Sequence, residues 1–326
     1  MSQIVAASPH VTTKNSTAVI MRDVLIALCP ALIAGCVVFG LRALLVVAVT
    51  TAACIFFEWG YEKLCGKPST ICDLSAAVTG VLLAMNLPST VPYWMPVIGS
   101  VIAILLCKMI FGGIGQNFIN PALAARAILA LSWASLMNTF AKPAFGNFAG
   151  VDAIASATPI GATVAGDYTL TQLFLGNIPG TLGETCKLAL LLGAAYLLLR
   201  RVIDWRIPVA YLGSLALLSW AFGENGLLAI GLGGAILGAF FMATDYVTSP
   251  ITPWGKLVYG VGCGLITFAI RTWGAYPEGV TYAILIMNVC AWFIDQVVRP
   301  ARFGFTKEMK EKAKAAKKAA KEGASK

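Results

Sequence analysis

Ten apolar segments, at 24–41, 43–61, 74–87, 94–111, 121–137, 186–199, 207–222, 227–244, 256–273 and 280–298, leave little of this chain for anything else. About 18 residues make roughly 27 Å of helix, enough to cross a thin bilayer. The third and sixth segments are short and are expected to be broken or only partly spanning. Length alone would suggest two soluble domains. Yet only 12% of the 326 residues are charged and 58% are hydrophobic, with mean hydropathy +0.80. A soluble chain is about a quarter charged, so too little charge is present to coat two globular surfaces. The expected fold is an all-α polytopic membrane protein of about ten transmembrane helices. The polar start, Met1 to Asp23, lacks a small-residue cleavage site and does not read as a signal peptide.

Orientation follows from where Lys and Arg gather. With ten spans, one side collects Lys14, Arg22, Lys63, Lys67, Arg200, Arg201, Arg206, Lys256 and a tail with Arg302, Lys307, Lys310, Lys312, Lys314, Lys317, Lys318 and Lys321. The opposite side holds only Arg42, Lys142 and Arg271 as isolated cations. Both termini are therefore expected in the cytoplasm. The net charge of +9 is mostly the tail's and suits anionic lipid rather than nucleic acid. The chain divides into a cytoplasmic segment 1–23, a first five-helix unit 24–137, an outer loop 138–185, a second five-helix unit 186–298 and a basic tail 299–326.

An internal repeat is also legible. Asn86-Leu-Pro-Ser-Thr-Val-Pro-Tyr-Trp94 joins segments three and four, and Asp245-Tyr-Val-Thr-Ser-Pro-Ile-Thr-Pro-Trp254 joins eight and nine. Both are Pro-rich, end in Trp and precede a Gly-containing apolar helix. Five spans per half would make the two halves inverted repeats, with a site near the midplane between them. Coincidence of two Pro-rich turns is the competing explanation.

Three polar features interrupt the apolar segments. The first is Gly112-Gly-Ile-Gly-Gln-Asn-Phe-Ile-Asn-Pro-Ala122. Its glycines permit close backbone approach, Pro121 suits a helix start, and Gln116, Asn117 and Asn120 supply amide groups. No G-K-[ST] follows, so it is no phosphate loop. It is either a ligand-binding turn or an interhelical turn whose amides satisfy backbone. Arg126, a few residues on, needs an anionic or polar partner unless it snorkels. The second feature is Gly234-x-x-x-Gly238 in segment eight, which reads as a small-residue packing pair. The third is Asp245 with Thr248 and Thr252, a candidate site for a cation or a polar ligand; a solvated helix-end carboxylate, or one paired with Lys256, is the rival.

Metal chemistry has little to work with. There is one histidine, and the nine cysteines include no C-x-x-C pair. A redox centre here would have to be organic.

The outer loop carries Asp152-Ala-Ile-Ala-Ser-Ala-Thr158-Pro159-Ile-Gly161, which from its chemistry alone is a small-residue turn. It resembles the acceptor at which a flavin transferase esterifies FMN to threonine. Ser8-Pro9-His10, Ile20-Met21-Arg22-Asp23-Val24 and Ala27-Leu28-Cys29-Pro30-Ala31, with the Gly112–Ala122 and Ala243–Pro250 runs, are similar to the D subunit of the Rnf complex and its relative, the B subunit of the sodium-pumping NADH:quinone reductase. The likeness covers roughly 8–305; the short N-terminal segment favours the Rnf type. The acceptor departs from the commonest pattern at Ala153 and Ala155 and keeps Asp152, Ala157 and Thr158.

The resemblance implies a flavin-carrying subunit of a ferredoxin:NAD⁺ oxidoreductase that moves Na⁺ or H⁺, in the bacterial inner membrane. It implies covalent FMN on extracytoplasmic Thr158, with Asp152 and Ser156 in the acceptor, and a second flavin, riboflavin, in the bundle. Because a cation in an apolar helix needs an anion or a polar ring to offset its desolvation, Arg126 with Gln116, Asn117 and Asn120 is expected to help bind a flavin or its phosphate, and Asp245 with Thr248 and Thr252 to serve a flavin or the coupling cation. Implied partners are the A, B, C, E and G types of subunit, notably the FMN-carrying G type outside and the NADH-side C type inside, together with lipid and the flavin transferase. A secondary transporter or channel without a redox cofactor, and a purely structural subunit, are the competing classes.

Overall fold

The computed structural model describes residues 16–141, 143, 170–274 and 278–298. Its first two helices are the longest, α1 (Thr17–Phe39) and α2 (Leu41–Leu64). Ser16 caps α1 by accepting from Val19 N–H at 3.4 Å. Gly40, at φ 73°, ends α1 and turns the chain directly into α2, a conformation that costs glycine little. Next come α3 (Ser75–Met85) and α4 (Trp94–Val101), which runs on as a π-helix over Ile102–Met109. Then follow α5 (Pro121–Ser132), α6 (Ala134–Met137), α7 (Leu170–Leu175), α8 (Lys187–Leu199) and α9 (Arg206–Ala221). α10 (Gly226–Gly231) and α11 (Ala235–Leu237, continuing as a π-helix over Gly238–Met242) lead to α12 (Pro253–Trp273) and α13 (Gly279–Val297).

Among the described residues, α1, α2, α12 and α13 are long and apolar enough to cross a membrane. The shorter apolar helices are α3, α4 with its π extension, α5 and α8. The protein is thus helical and multi-pass, and the segments expected to be short are short. At 13 residues, α8 reaches about 20 Å, less than the ~30 Å hydrocarbon core. Residues 178–185 before it are buried yet non-helical. Unpaired backbone is tolerated at such depth only inside protein, and here Leu182 and Gly183 donate to Leu87 O at 3.2 Å and Met85 O at 2.7 Å.

Two segments expected to be continuous are interrupted. Segment 121–137 breaks at Trp133 (φ −131°, ψ 55°) between α5 and α6. Segment 227–244 breaks at 232–234, where Leu232 is extended and Gly233 has φ 62°. The Gly234–Gly238 pair is accordingly not a continuous helical packing face. Gly234 lies at the break, where an added Cβ would meet Glu184 Oε1 at 2.9 Å, whereas Gly238 faces Val280 and Ile284 of α13. A close helix contact at that spacing is made by Gly260 and Gly264 of α12, where a Cβ would come within 2.8 Å of Ile207 O and Tyr211 O on α9.

The packing has a two-part order. α2 lies against α3 and α4, α9 lies against α10 and α12, and α13 lies against α12. Across the middle, α1 packs on α8 and α5 on α13. The main core runs through both parts, with Leu28, Leu83, Leu123, Tyr211, Leu237 and Tyr259 fully enclosed.

Candidate functional site

One cleft, with about 850 Å³ of empty space including its mouth, is lined by Val24, Ser75, Lys108, Asn117, Asn120 and Asp245 among others. Small-molecule sites fall in this size range. The glycine turn contributes Ile114, Asn117 and Asn120 to its lining. Gly112, Gly113 and Gly115 have φ of 120°, 98° and 87°, which is the reason for glycine at each. Asn120 caps α5 by accepting from Ala122 N–H at 3.1 Å and Leu123 N–H at 3.3 Å. Its amide nitrogen donates to Met242 O at 3.3 Å, tying the turn to the second part. Asn117 donates to Ile119 O at 3.2 Å and lines the cleft. Gln116 is exposed and does not line it.

Asp245 closes one side of the cleft. Thr248 donates to Asp245 Oδ2 at 3.2 Å. Burial pushes this carboxyl's pKa up, against the Thr248 hydroxyl and the N–H groups of Val247 and Tyr246. Thr252 is elsewhere: it caps α12, accepting from Gly255 N–H at 3.1 Å, and donates to Asp295 at 3.4 Å. Nor does Lys256 reach Asp245. It pairs with Asp204 at 3.0 Å, as does Arg206. Burial opposes ionisation of Asp204, but the Arg206 N–H and the Lys256 ammonium outweigh it and hold its pKa below the usual range.

Arg126 faces a second, smaller cleft of about 430 Å³, shared with Ala130, Asn138, Glu278, Thr281 and Tyr282. The structure therefore separates Arg126 from the glycine turn. Its guanidinium is buried and well provided for. Nη1 donates to Asn86 Oδ1 at 3.0 Å and Thr281 Oγ1 at 2.9 Å. Nη2 pairs with Glu184 at 3.6 Å and with Glu278. A cation inside an apolar helix is thus offset by two carboxylates from other elements.

Sequence reasoning passed over a third polar group. Glu58, Glu62 and Lys108 are all buried. Lys108 Nζ donates to Glu58 Oε2 at 2.6 Å and Ser75 Oγ at 2.7 Å, while Thr70 bridges to Glu58 at 2.9 Å and to Glu62. Two acids four residues apart repel on an isolated helix. That spacing in an apolar run, with a lysine in another, was the available signal. Asp23 was also missed: it joins α1 to α8 through Arg200 at 3.0 Å and Tyr196 at 3.2 Å. No His/Cys/Asp/Glu group able to hold a metal occurs among the described residues. Asp152, Ser156 and Thr158 lie outside them.

Residues 4–304 match the model of the NQR2, RnfD, RnfE family. The chain belongs to this family. It is 46% identical, over 94% of its own length and 97% of the relative's, to the D subunit of the Na⁺-translocating ferredoxin:NAD⁺ oxidoreductase complex of Acetobacterium woodii. It is 41% identical, over 92% and 96%, to the D subunit of the proton-translocating ferredoxin:NAD⁺ oxidoreductase complex of Clostridium ljungdahlii. The D subunit of the ion-translocating oxidoreductase complex of a Vibrio cholerae strain is 35% identical over 93% and 100%. The family match takes in the glycine turn, Arg126 and Asp245, so every cleft described above lies within the matched part.

Proposed function

We infer that this chain is the D subunit of an ion-translocating ferredoxin:NAD⁺ oxidoreductase of the bacterial plasma membrane, and that it carries flavin. The observation that carries the first half is likeness along almost the whole chain to subunits of that name. It works with the other subunits, including a G type outside and a C type inside, and receives its covalent FMN at Thr158 from a flavin transferase.

The second half rests on the two clefts. The larger offers the amides Asn117 and Asn120 within largely apolar walls. Its lysine, Lys108, is already paired with Glu58, and Asp245 adds negative charge. Such a lining suits a neutral, partly apolar ring with hydroxyls, as in riboflavin, better than a phosphorylated one. The smaller cleft includes Asn138, twenty residues before Thr158 in the chain. Twenty residues can span far more than the width of the bundle, so FMN esterified at Thr158 can reach it, with Arg126 and Thr281 as donors to the ring. A bound flavin supplies one- and two-electron carriage. The protein's residues fix its position, keep water out and set the surrounding charge.

The ten-span topology, with both ends cytoplasmic, draws on the distribution of Lys and Arg. Two of its three outer exceptions are used by the fold: Arg42 donates to Thr90 O at 2.7 Å, and Arg271 to Ala229 O at 2.7 Å and Leu232 O at 2.9 Å; Lys142 lies outside the described residues. The inverted repeat is supported by the matched packing of α2 with α4 and of α9 with α12. Flavin fluorescence of the denatured subunit tests the reading. A band that fluoresces in protein made with its transferase is expected; a dark band removes covalent flavin from the proposal.

A further inference from the structure

The interruption at 232–234 frees backbone carbonyls inside the protein, and the chain's own cations occupy them. Ala229 O and Leu232 O take Arg271, at 2.7 and 2.9 Å. Gly233 O takes the Lys187 ammonium at 2.9 Å, and the same ammonium donates to Glu184 O. Lys187 is 0% exposed. It is also the first residue of α8, the end at which a cation is electrostatically disfavoured. Helix capping therefore does not explain a lysine here, and burying it without partners would be costly.

What the ammonium does find is a pair of carbonyl oxygens, Gly233 O at the helix break and Glu184 O in the segment before α8. Interrupted helices offer monovalent metal ions the same environment. The adjoining buried segment adds two oxygens without a hydrogen bond, Thr181 Oγ1 and Glu184 Oε1, the latter 3.6 Å from Arg126. Glu184 Oε1 also lies 2.9 Å from where a Cβ on Gly234 would stand, just before α11. The break is thus faced by oxygen from two elements; Arg271 holds Ala229 O and Leu232 O, and the Lys187 charge fills the space between Gly233 O and Glu184 O.

We propose that the Lys187 ammonium is a built-in substitute for a monovalent metal ion: it fills the carbonyl site at the break of α10 and α11 and closes that site to Na⁺ and K⁺. Removing the charge leaves Glu184 O, Gly233 O and the neighbouring carboxylate as an oxygen site for a hard monovalent ion. The proposal does not depend on flavin.

The test uses the assembled complex, purified with Lys187→Met, Lys187→Gln or Lys187→Arg. Yield and melting temperature are measured in NaCl, KCl and choline chloride at equal ionic strength. Ligand that binds only the folded state raises its melting temperature. The Met and Gln variants should gain, beyond wild type, roughly 2–4 °C for each tenfold rise in Na⁺ or K⁺ above the dissociation constant. Choline should not substitute. Lys187→Arg keeps a fixed charge and should show the wild-type salt response. The proposal is overturned if the Met and Gln variants respond to NaCl, KCl and choline chloride as wild type does, or fail to assemble equally in all three.

Discussion

At single residues the protein spends its few charges in closed groups. Arg126 is the clearest, held by Asn86, Thr281, Glu184 and Glu278. Replacing it with Leu strands two carboxylates, and breaking a buried pair in this way costs about 3–5 kcal/mol. Arg126→Leu should therefore cut the yield of assembled complex sharply, with Arg126→Lys recovering part of it. If Arg126 also orients flavin, flavin per assembled complex falls as well, which absorbance of the purified complex reads. Asp245 behaves differently, because Lys256 belongs to Asp204. Asp245→Asn should assemble normally with full Thr158 flavinylation yet lose ion-coupled electron transfer, and adding Lys256→Gln should rescue nothing. The pH response has a definite sign. A carboxyl whose folded pKa is raised binds its proton more tightly when folded, so its effect is least unfavourable below the unfolded value of about 3.9 and grows as pH rises through the folded one. Melting curves of wild type and Asp245→Asn should diverge upward from about pH 4, with wild type the less stable at higher pH.

For helices, hydrophobicity located the apolar stretches but not their interruptions. The pattern of segment 227–244 is apolar throughout, and nothing in an apolar run announces that Gly233 takes φ 62°. The Gly234–Gly238 spacing looked like a packing pair for the same reason, since spacing has meaning only while the helix is unbroken. Gly260 and Gly264 have that spacing on an intact helix and make the contact. An added side chain at Gly264 would press on Tyr211 O, and overpacking of this kind costs typically about 1–3 kcal/mol. Gly264→Val should lower the melting temperature of the purified complex. Gly213→Ala on α9, with nothing within 4 Å of its new Cβ, should leave it unchanged. The buried group of Glu58, Glu62 and Lys108 escaped sequence reading because the lysine comes from a different helix than the two acids of α2, and only packing brings them together. Asn117 and Asn120 were legible because the glycines around them mark a turn. Gln116 shared the motif but points outward.

Across the whole molecule, the scarcity of charge was enough to establish a multi-pass helical protein, and the scatter of Lys and Arg proposes its orientation. Single cysteines introduced near 148–165 should be labelled only from outside the cell and those near 310–320 only from inside. Labelling of the basic tail from outside would reverse the topology and place Thr158 beyond an exported transferase's reach. The central claim is that this protein carries electrons on a flavin bound through Thr158. The most direct measurement is peptide mapping by mass spectrometry of the chain co-expressed with its flavin transferase, alongside Thr158→Ala. The peptide containing Thr158 should carry the added mass of esterified FMN, and the alanine variant should carry none. An unmodified Thr158 peptide from fully assembled complex made with the transferase would contradict the account.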